Sequence, residues 1–238
     1  MSAPQQVLAG VRTNDPYYAN TVLLLHCDGT NGSTTFTDNS LVGNTVTASG
    51  TTVSTSRFKF GTGSGLFSAG STSNLKLPAG ATWNFSTGDW TVEMFVYVTS
   101  YNAQTSRLFQ TADGDLAVSI YMTMDNLGNL VLSASSNGVF PPNLFSASAA
   151  TPIGLNAWTH VAYVRNGNNF TAYVNGVGTL VATTSSSLYY SAAQVPVIGG
   201  QTSPQRSLNG NIDEVRITKG VARYTANFTP PAQAFPNY

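Results

Sequence analysis

Few side chains in this sequence can do acid–base or metal chemistry, and their spacing narrows what that chemistry is. A retaining glycoside hydrolase needs two carboxyl groups about 5–5.5 Å apart, which on one strand means acids at alternate positions. Glu93 stands alone on its strand, with Phe95 and Tyr97 next on the same face. Asp113 and Asp115 alternate, but around Gly114, in a turn. Glu93 therefore reads as a structural carboxylate paired with a neighbour. His26 and His160 each lie in an apolar run, and the spaced Cys/His clusters of zinc sites are missing. Both read as core histidines. There is no Gly-x-Ser-x-Gly nucleophile elbow. Gly61-Thr-Gly-Ser-Gly65 lacks the Lys-Ser/Thr pair of a phosphate cradle. The expectation is a protein without catalytic activity. Calcium is the more credible metal, because it takes carboxylate and carbonyl oxygens from turns. Asp28 and Asp38 flank a loop rich in Asn, Thr and Gly. The competing reading is that such aspartates cap turns.

Binding residues are sought among aromatics that fall outside strand patterns. Tyr101, Phe140, Phe145, Tyr189 and Tyr190 lie in or beside runs of Ser, Asn, Gly or Pro. Their ring faces would stack on sugars while Asn and Asp fix hydroxyls. The alternative is that they pack loops onto the fold or fill a protein interface. Val7, Leu8, Val11, Tyr17 and Tyr18 offer apolar area to a partner from a stretch with no periodic pattern, read as an N-terminal arm over 1–20.

The 238 residues suit one large all-β domain. Only 8% are charged, and Lys+Arg equals Asp+Glu, so the net charge is zero. That gives no electrostatic basis for binding nucleic acid or anionic membranes. Low charge with little self-repulsion favours association, and a homo-oligomer is expected. The single cysteine, Cys27, reads as a buried thiol. The first ten residues have no cationic region or long apolar run and do not read as a signal peptide. No stretch approaches the roughly 20 apolar residues of a membrane span. Synthesis in a cytoplasm is the resulting expectation.

The elements that position these residues are short strands. Trp90–Val98 is the clearest: Val92, Met94, Val96 and Val98 share one face, and Thr91, Glu93, Phe95 and Tyr97 the other. Hairpins are predicted around Asp125–Asn129 and around Asn166–Asn169, with a further turn at Asn175-Gly176. A hairpin is also predicted within Leu41–Val53. In the stretch 212–218, simple alternation places Ile212, Glu214, Arg216 and Thr218 on one face. Many short strands and no helical periodicity predict an antiparallel sandwich or barrel.

The opening Val22–Ser40, Gly88-Asp-Trp-Thr-Val-Glu-Met-Phe-Val96, Trp158-Thr-His-Val-Ala162, Tyr173-Val-Asn-Gly176 and the closing Gly210–Pro231 occur in that order. In this the chain resembles laminin G-like, concanavalin A-like lectin domains of the type found in bacteriophage structural proteins. Arg216-Ile-Thr-Lys-Gly-Val-Ala-Arg-Tyr224 is the segment most specific for the phage-associated version. Ala69 stands where many relatives carry an Asp. The resemblance implies a concanavalin A-like jelly-roll β-sandwich over 21–231, with a tail at 232–238. It brings the opening and closing strands together, adding Asp213 to Asp28 and Asp38 as a calcium rim. It also implies a virion protein, made in the host cytoplasm, that contacts other virion proteins, with a trimer as the first expected oligomer because fibres, spikes and capsid knobs are often threefold. One role is adhesion to a host-surface glycan from a tail fibre or spike, and the other is capsid decoration. A free bacterial carbohydrate-binding lectin is the rival, and a glycoside hydrolase the lesser one.

Overall fold

The computed structural model describes residues 14–202 and 206–238. They form two antiparallel sheets. The larger contains β1 (Thr21–Leu25), β3 (Thr52–Ser54), β4 (Ser64–Phe67), β6 (Trp90–Val98), β11 (Trp158–Asn166), β12 (Asn169–Val174), β13 (Val177–Thr183) and β15 (Gly210–Lys219). The smaller contains β2 (Thr47–Ser49), β5 (Asn74–Lys76), β7 (Ser106–Gln110), β8 (Ile120–Met124), β9 (Asn129–Ala134), β10 (Phe145–Pro152) and β14 (Val197–Ile198). The larger sheet runs β13-β12-β11-β6-β15-β4-β3, and β1 continues the β4 edge of β15. The smaller runs β10-β9-β8-β7-β14-β5-β2. The expected all-β sandwich is present.

Side-chain alternation builds the core. Val92, Met94, Val96 and Val98 from β6 meet Ile120, Met122 and Met124 of β8 and Leu130 and Leu132 of β9 in one buried cluster. The β12–β13 turn uses Asn175 and Gly176, both at positive φ, as a two-residue hairpin with this pair requires. Gly176 also lies so close to the carbonyl oxygen of Phe228 that a Cβ there would stand 1.8 Å from it.

Two sequence expectations change. Leu41–Val53 is not a hairpin: β2 pairs with β5 and β3 with β4, so the chain crosses from one sheet to the other at Gly50-Thr51. The simple alternation across 212–218 also breaks. Asp213 lies opposite Phe95 and Arg216 opposite Glu93, so β15 carries one extra residue. Glu214 sits there at φ 51. This bulge resets the parity, so that Ile212, Val215 and Ile217 all enter the core while Arg216 faces outward to Glu93.

Candidate functional site

The outer face of the larger sheet carries most of the buried charge, and the chain's own ends cover it. Glu93 from β6 accepts from Arg216 Nε at 2.9 Å, from Tyr224 Oη at 2.6 Å and pairs with His160 Nε2 at 3.1 Å. Arg216 reaches on to Asp15 at 3.2 Å, and Asp15 is gripped by Arg223 at 2.7 and 3.0 Å. Burial works against the Glu93 carboxylate, but Arg216 and His160 more than offset it and hold its pKa at about 2. For Asp15, burial is likewise outweighed by Arg223, and its pKa lies below the usual value. The Tyr224 hydroxyl is pushed well up by burial and by the Glu93 charge beside it.

Two apolar clusters seal this network. Phe235 packs with Leu24 and Phe95, and Tyr224 and Phe228 pack on Ala162, Val164 and Tyr173. Phe235 also lies 3.8 Å from the Arg216 guanidinium. Asp15 and Phe235 fall outside the 21–231 boundaries drawn from sequence, yet both are buried on this face. The Asp15 amide donates to the Tyr238 carbonyl at 3.0 Å.

Beside this cover, His26 Nδ1 contacts Glu214 at 2.8 Å, and Glu214 also accepts from the Phe235 amide. Burial lowers the His26 pKa, but Glu214 and the nearby Asp28 and Asp213 raise it overall. Asp213 is raised by burial to about 7, against the pull of the Lys59 and Phe60 amides.

The outer face of the smaller sheet is open. Four adjacent strands supply the floor of a groove: Arg107 from β7, Tyr121 and Thr123 from β8, Val131 and Ser133 from β9, and Ser146 from β10. Phe140, Pro141 and Pro142 form one wall, and Arg206 and Thr105 complete it. The groove holds about 210 Å3. This is below the roughly 300–1,000 Å3 of enclosed small-molecule pockets and suits a ligand that lies along the surface.

A bulge prepares this face too. Leu108 is the extra residue between Arg107, opposite Thr123, and Phe109, opposite Met122. Leu108 and Phe109 both enter the core. Arg107 and Gln110 both stay outside, sharing the Gln201 Oε1 acceptor at 3.2 and 3.1 Å. Arg107 also pairs with Asp115 at 2.8 Å and lies 5.2 Å from the Tyr121 ring. The Tyr121 hydroxyl is pushed up to about 12 by burial and Asp115.

The wall is braced from behind. The Asn143 side chain accepts from the Ser136 amide and the Ser135 hydroxyl, both at 2.9 Å, and donates to Ser136 Oγ. The Gly138 amide donates to Ser135 Oγ at 3.0 Å. Fixed in this way, Phe140 remains 47% exposed.

Of the residues singled out from sequence, Phe140 alone lines this groove. Tyr189 packs its ring on Gly138, so close that a Cβ there would stand 2.7 Å from it, and so supports the Phe140 loop. Tyr190 is half-buried. Tyr101 donates to the Ile153 carbonyl at 2.7 Å and packs against the core. Tyr17 is 42% exposed, whereas Tyr18 is committed to its own domain, donating to the Asn39 carbonyl and packing on the Phe235 cluster. Val7, Leu8 and Val11 lie outside the described residues.

The three aspartates suggested for calcium do not share a site. Asp28 caps Thr62 and Gly63. Asp38 accepts from the Leu24, Ser40 and Asn44 amides. Asp213 accepts from those of Lys59, Phe60 and Glu214. Among the described residues no group of three or more His, Cys, Asp or Glu could hold a metal. The donor sets fit turn capping. Arg107, Tyr121, Thr123 and Ser133 were missed, although the period-2 pattern of β8 and β9 marks which side chains face outward.

A laminin G-type family model of the concanavalin A-like lectin/glucanases superfamily matches residues 69–223. The chain belongs to this superfamily. No curated protein sequence matches it. Solved structures share this lectin-like sandwich at low identity. The receptor binding domain of botulinum neurotoxin D matches with TM-score 0.63 and 13% identity, over 87% of this chain and 51% of that one. The binding domain of Paraclostridial Mosquitocidal Protein 1 gives 0.59 and 15%, over 85% and 49%. Domain 4 of AbnA, a GH43 extracellular arabinanase of Geobacillus stearothermophilus in complex with arabinotriose, gives 0.58 and 20%, over 78% and 87%. This superfamily member thus spans about half the length of the toxin domains. At these identities the likeness is one of fold.

Proposed function

We propose that the chain is a non-enzymatic carbohydrate-binding module that holds a glycan in the groove of the smaller sheet and serves as a host-surface adhesin on a bacteriophage virion. The observation that carries this reading is the exposed Phe140 ring, held on a braced loop over a floor of Thr123, Ser133 and Ser146 hydroxyls. An aromatic face with fixed hydroxyls is the chemistry that a sugar ring and its substituents require. Its preformed wall removes part of the ordering cost of binding. The arabinotriose-bound arabinanase domain and the toxin binding domains give the fold a record of recognition. Carboxylate placement supports a module without catalysis. Asp115 is the acid at the groove, engaged by Arg107 and Arg206, while Glu93 lies in the other sheet beneath Tyr224. The virion assignment rests on the resemblance of Arg216–Tyr224 to phage structural proteins. An open groove binds weakly as a single site, so display in a symmetric oligomer would supply avidity.

A glycan array probed with the protein and with Phe140→Ala tests the binding. We expect retained glycans whose signal falls about tenfold in the variant, which corresponds to ~1.4 kcal/mol. An array without signal would end the reading. Electron microscopy of virions labelled for this chain tests the location, and absence from particles would return the free bacterial lectin.

A further inference from the structure

Charge is scarce in this chain, with 10 Lys and Arg and 10 Asp and Glu among 238 residues. Lys76 and Asp113 form a one-to-one pair at 2.7 Å, with Asp113 also taking the Thr202 amide and hydroxyl. At the groove the ratio differs. Asp115 is the counter-ion of two guanidiniums, Arg107 at 2.8 Å and Arg206 at 3.3 Å. The intervening Ser203, Pro204 and Gln205 carry no charge. The cluster therefore holds one positive charge in excess.

We propose that the glycan taken by the groove is acidic, with a sugar carboxylate held between Arg107 and Arg206. This rests on the glycan-binding reading above and names the chemical class. Three observations carry it. First, Arg107 is 3% exposed on the groove floor, and a buried charge is costly unless paired and hydrogen-bonded. Its hydrogen bonds use Nε for Gln201 and Nη2 for Asp115. Nη1 makes none among the described residues, and a guanidinium has five N–H donors in a planar fork. Second, a carboxylate matches that fork in shape and charge, with stronger hydrogen bonds than a neutral hydroxyl gives. Third, the charge lies close to the exposed Phe140 ring a sugar would stack on: the buried Tyr121 ring between them is 5.2 Å from the Arg107 guanidinium and 6.2 Å from Phe140 between centroids. A uronic or sialic-type residue presents an apolar ring face and a carboxylate on one unit, which is the pair of features the groove offers.

The test is an array carrying neutral, carboxylated and sulfated oligosaccharides, probed before and after methyl esterification of the carboxylates. Three proteins are compared: the parent, Arg206→Gln, and Arg57→Gln. Arg57 lies over Tyr97 of the other sheet, so its replacement makes the same change in net charge away from the groove. We expect the retained glycans to be carboxylated, with esterification and Arg206→Gln each lowering the signal at least tenfold and Arg57→Gln leaving it unchanged. Signal on neutral or sulfated glycans alone, or signal unaffected by esterification, overturns the acidic assignment and leaves the glycan reading standing. Equal loss in both arginine variants also overturns it, since net charge would then be the cause. No signal on any glycan removes both.

Discussion

On the larger sheet the outward-facing Glu93, His160 and Arg216 lie under the chain's own terminal segments. On the smaller sheet the outward-facing Arg107, Tyr121 and Ser133 form the floor of an open groove. Both faces combine an arginine with aromatics, and in both a bulge turns the arginine outward. On the covered face each carboxylate oxygen of Glu93 and Asp15 has a donor. The open face leaves its cations sharing a single acid. A buried ion network that is fully paired serves the fold. A partly compensated one beside an exposed ring is available to a ligand.

The comparison breaks first at Glu93. Glu93→Ala strands the buried Arg216 and is expected to cost about 3–5 kcal/mol, the range for removing one partner of a buried pair. An unchanged urea midpoint would mean that the network does not hold the cover.

Acidity separates the groups on the covered side. The Glu93 pKa is depressed from 4.5 to about 2, so its contribution is present above 4.5 and is lost as pH falls toward 2. Asp213 is raised from 3.8 to about 7, so its contribution is complete below 3.8 and is lost as pH rises to 7. His26, raised above 6.5 by Glu214, Asp28 and Asp213, loses its contribution across still higher pH. Stability should therefore peak near pH 4–5, with each group's slope at most about 1.4 kcal/mol per pH unit. Asp213→Asn should flatten the decline between pH 4 and 7, and a denaturation series that keeps the parent slope would dismiss that role.

A smaller effect is expected at Gly176→Ala. The φ of 78 and the 1.8 Å approach to the Phe228 carbonyl force the cover to shift, at a cost of about 1–3 kcal/mol, with glycan signal retained in the folded protein. The smallest change in stability belongs to Phe140→Ala. Its thermal midpoint should move little, within about 0.5 kcal/mol, while binding falls. Loss of both together would merge the two faces into one structural role.

The sequence made one face of this contrast more legible than the other. β6 reads directly as Trp90–Val98, because alternation, length and β-branched residues agree. The hairpin around Asn166–Asn169 was legible from its Gly and Asn. The ion network was not, since Asp15 and Arg223 are 208 positions apart and meet only once the ends fold over the sheet. The bulges were invisible to a strict period of two, which placed Arg216 with Ile212. Phe140 stood out as an aromatic among Ser, Asn and Pro. Its partners Arg107, Tyr121 and Ser133 come from three strands, and none is unusual in its own segment.

The hydrogen bond from the Asp15 amide to the Tyr238 carbonyl brings the first and last stretches of the described residues to one spot, on the side away from the groove. A tether joined at Asp15 or at Tyr238 would therefore leave the domain from the same spot, with the groove on the opposite face. The same geometry suits the domain to transplantation: spliced into a surface loop of another protein, it would need little linker and would separate the host's own strands by scarcely more than a strand spacing.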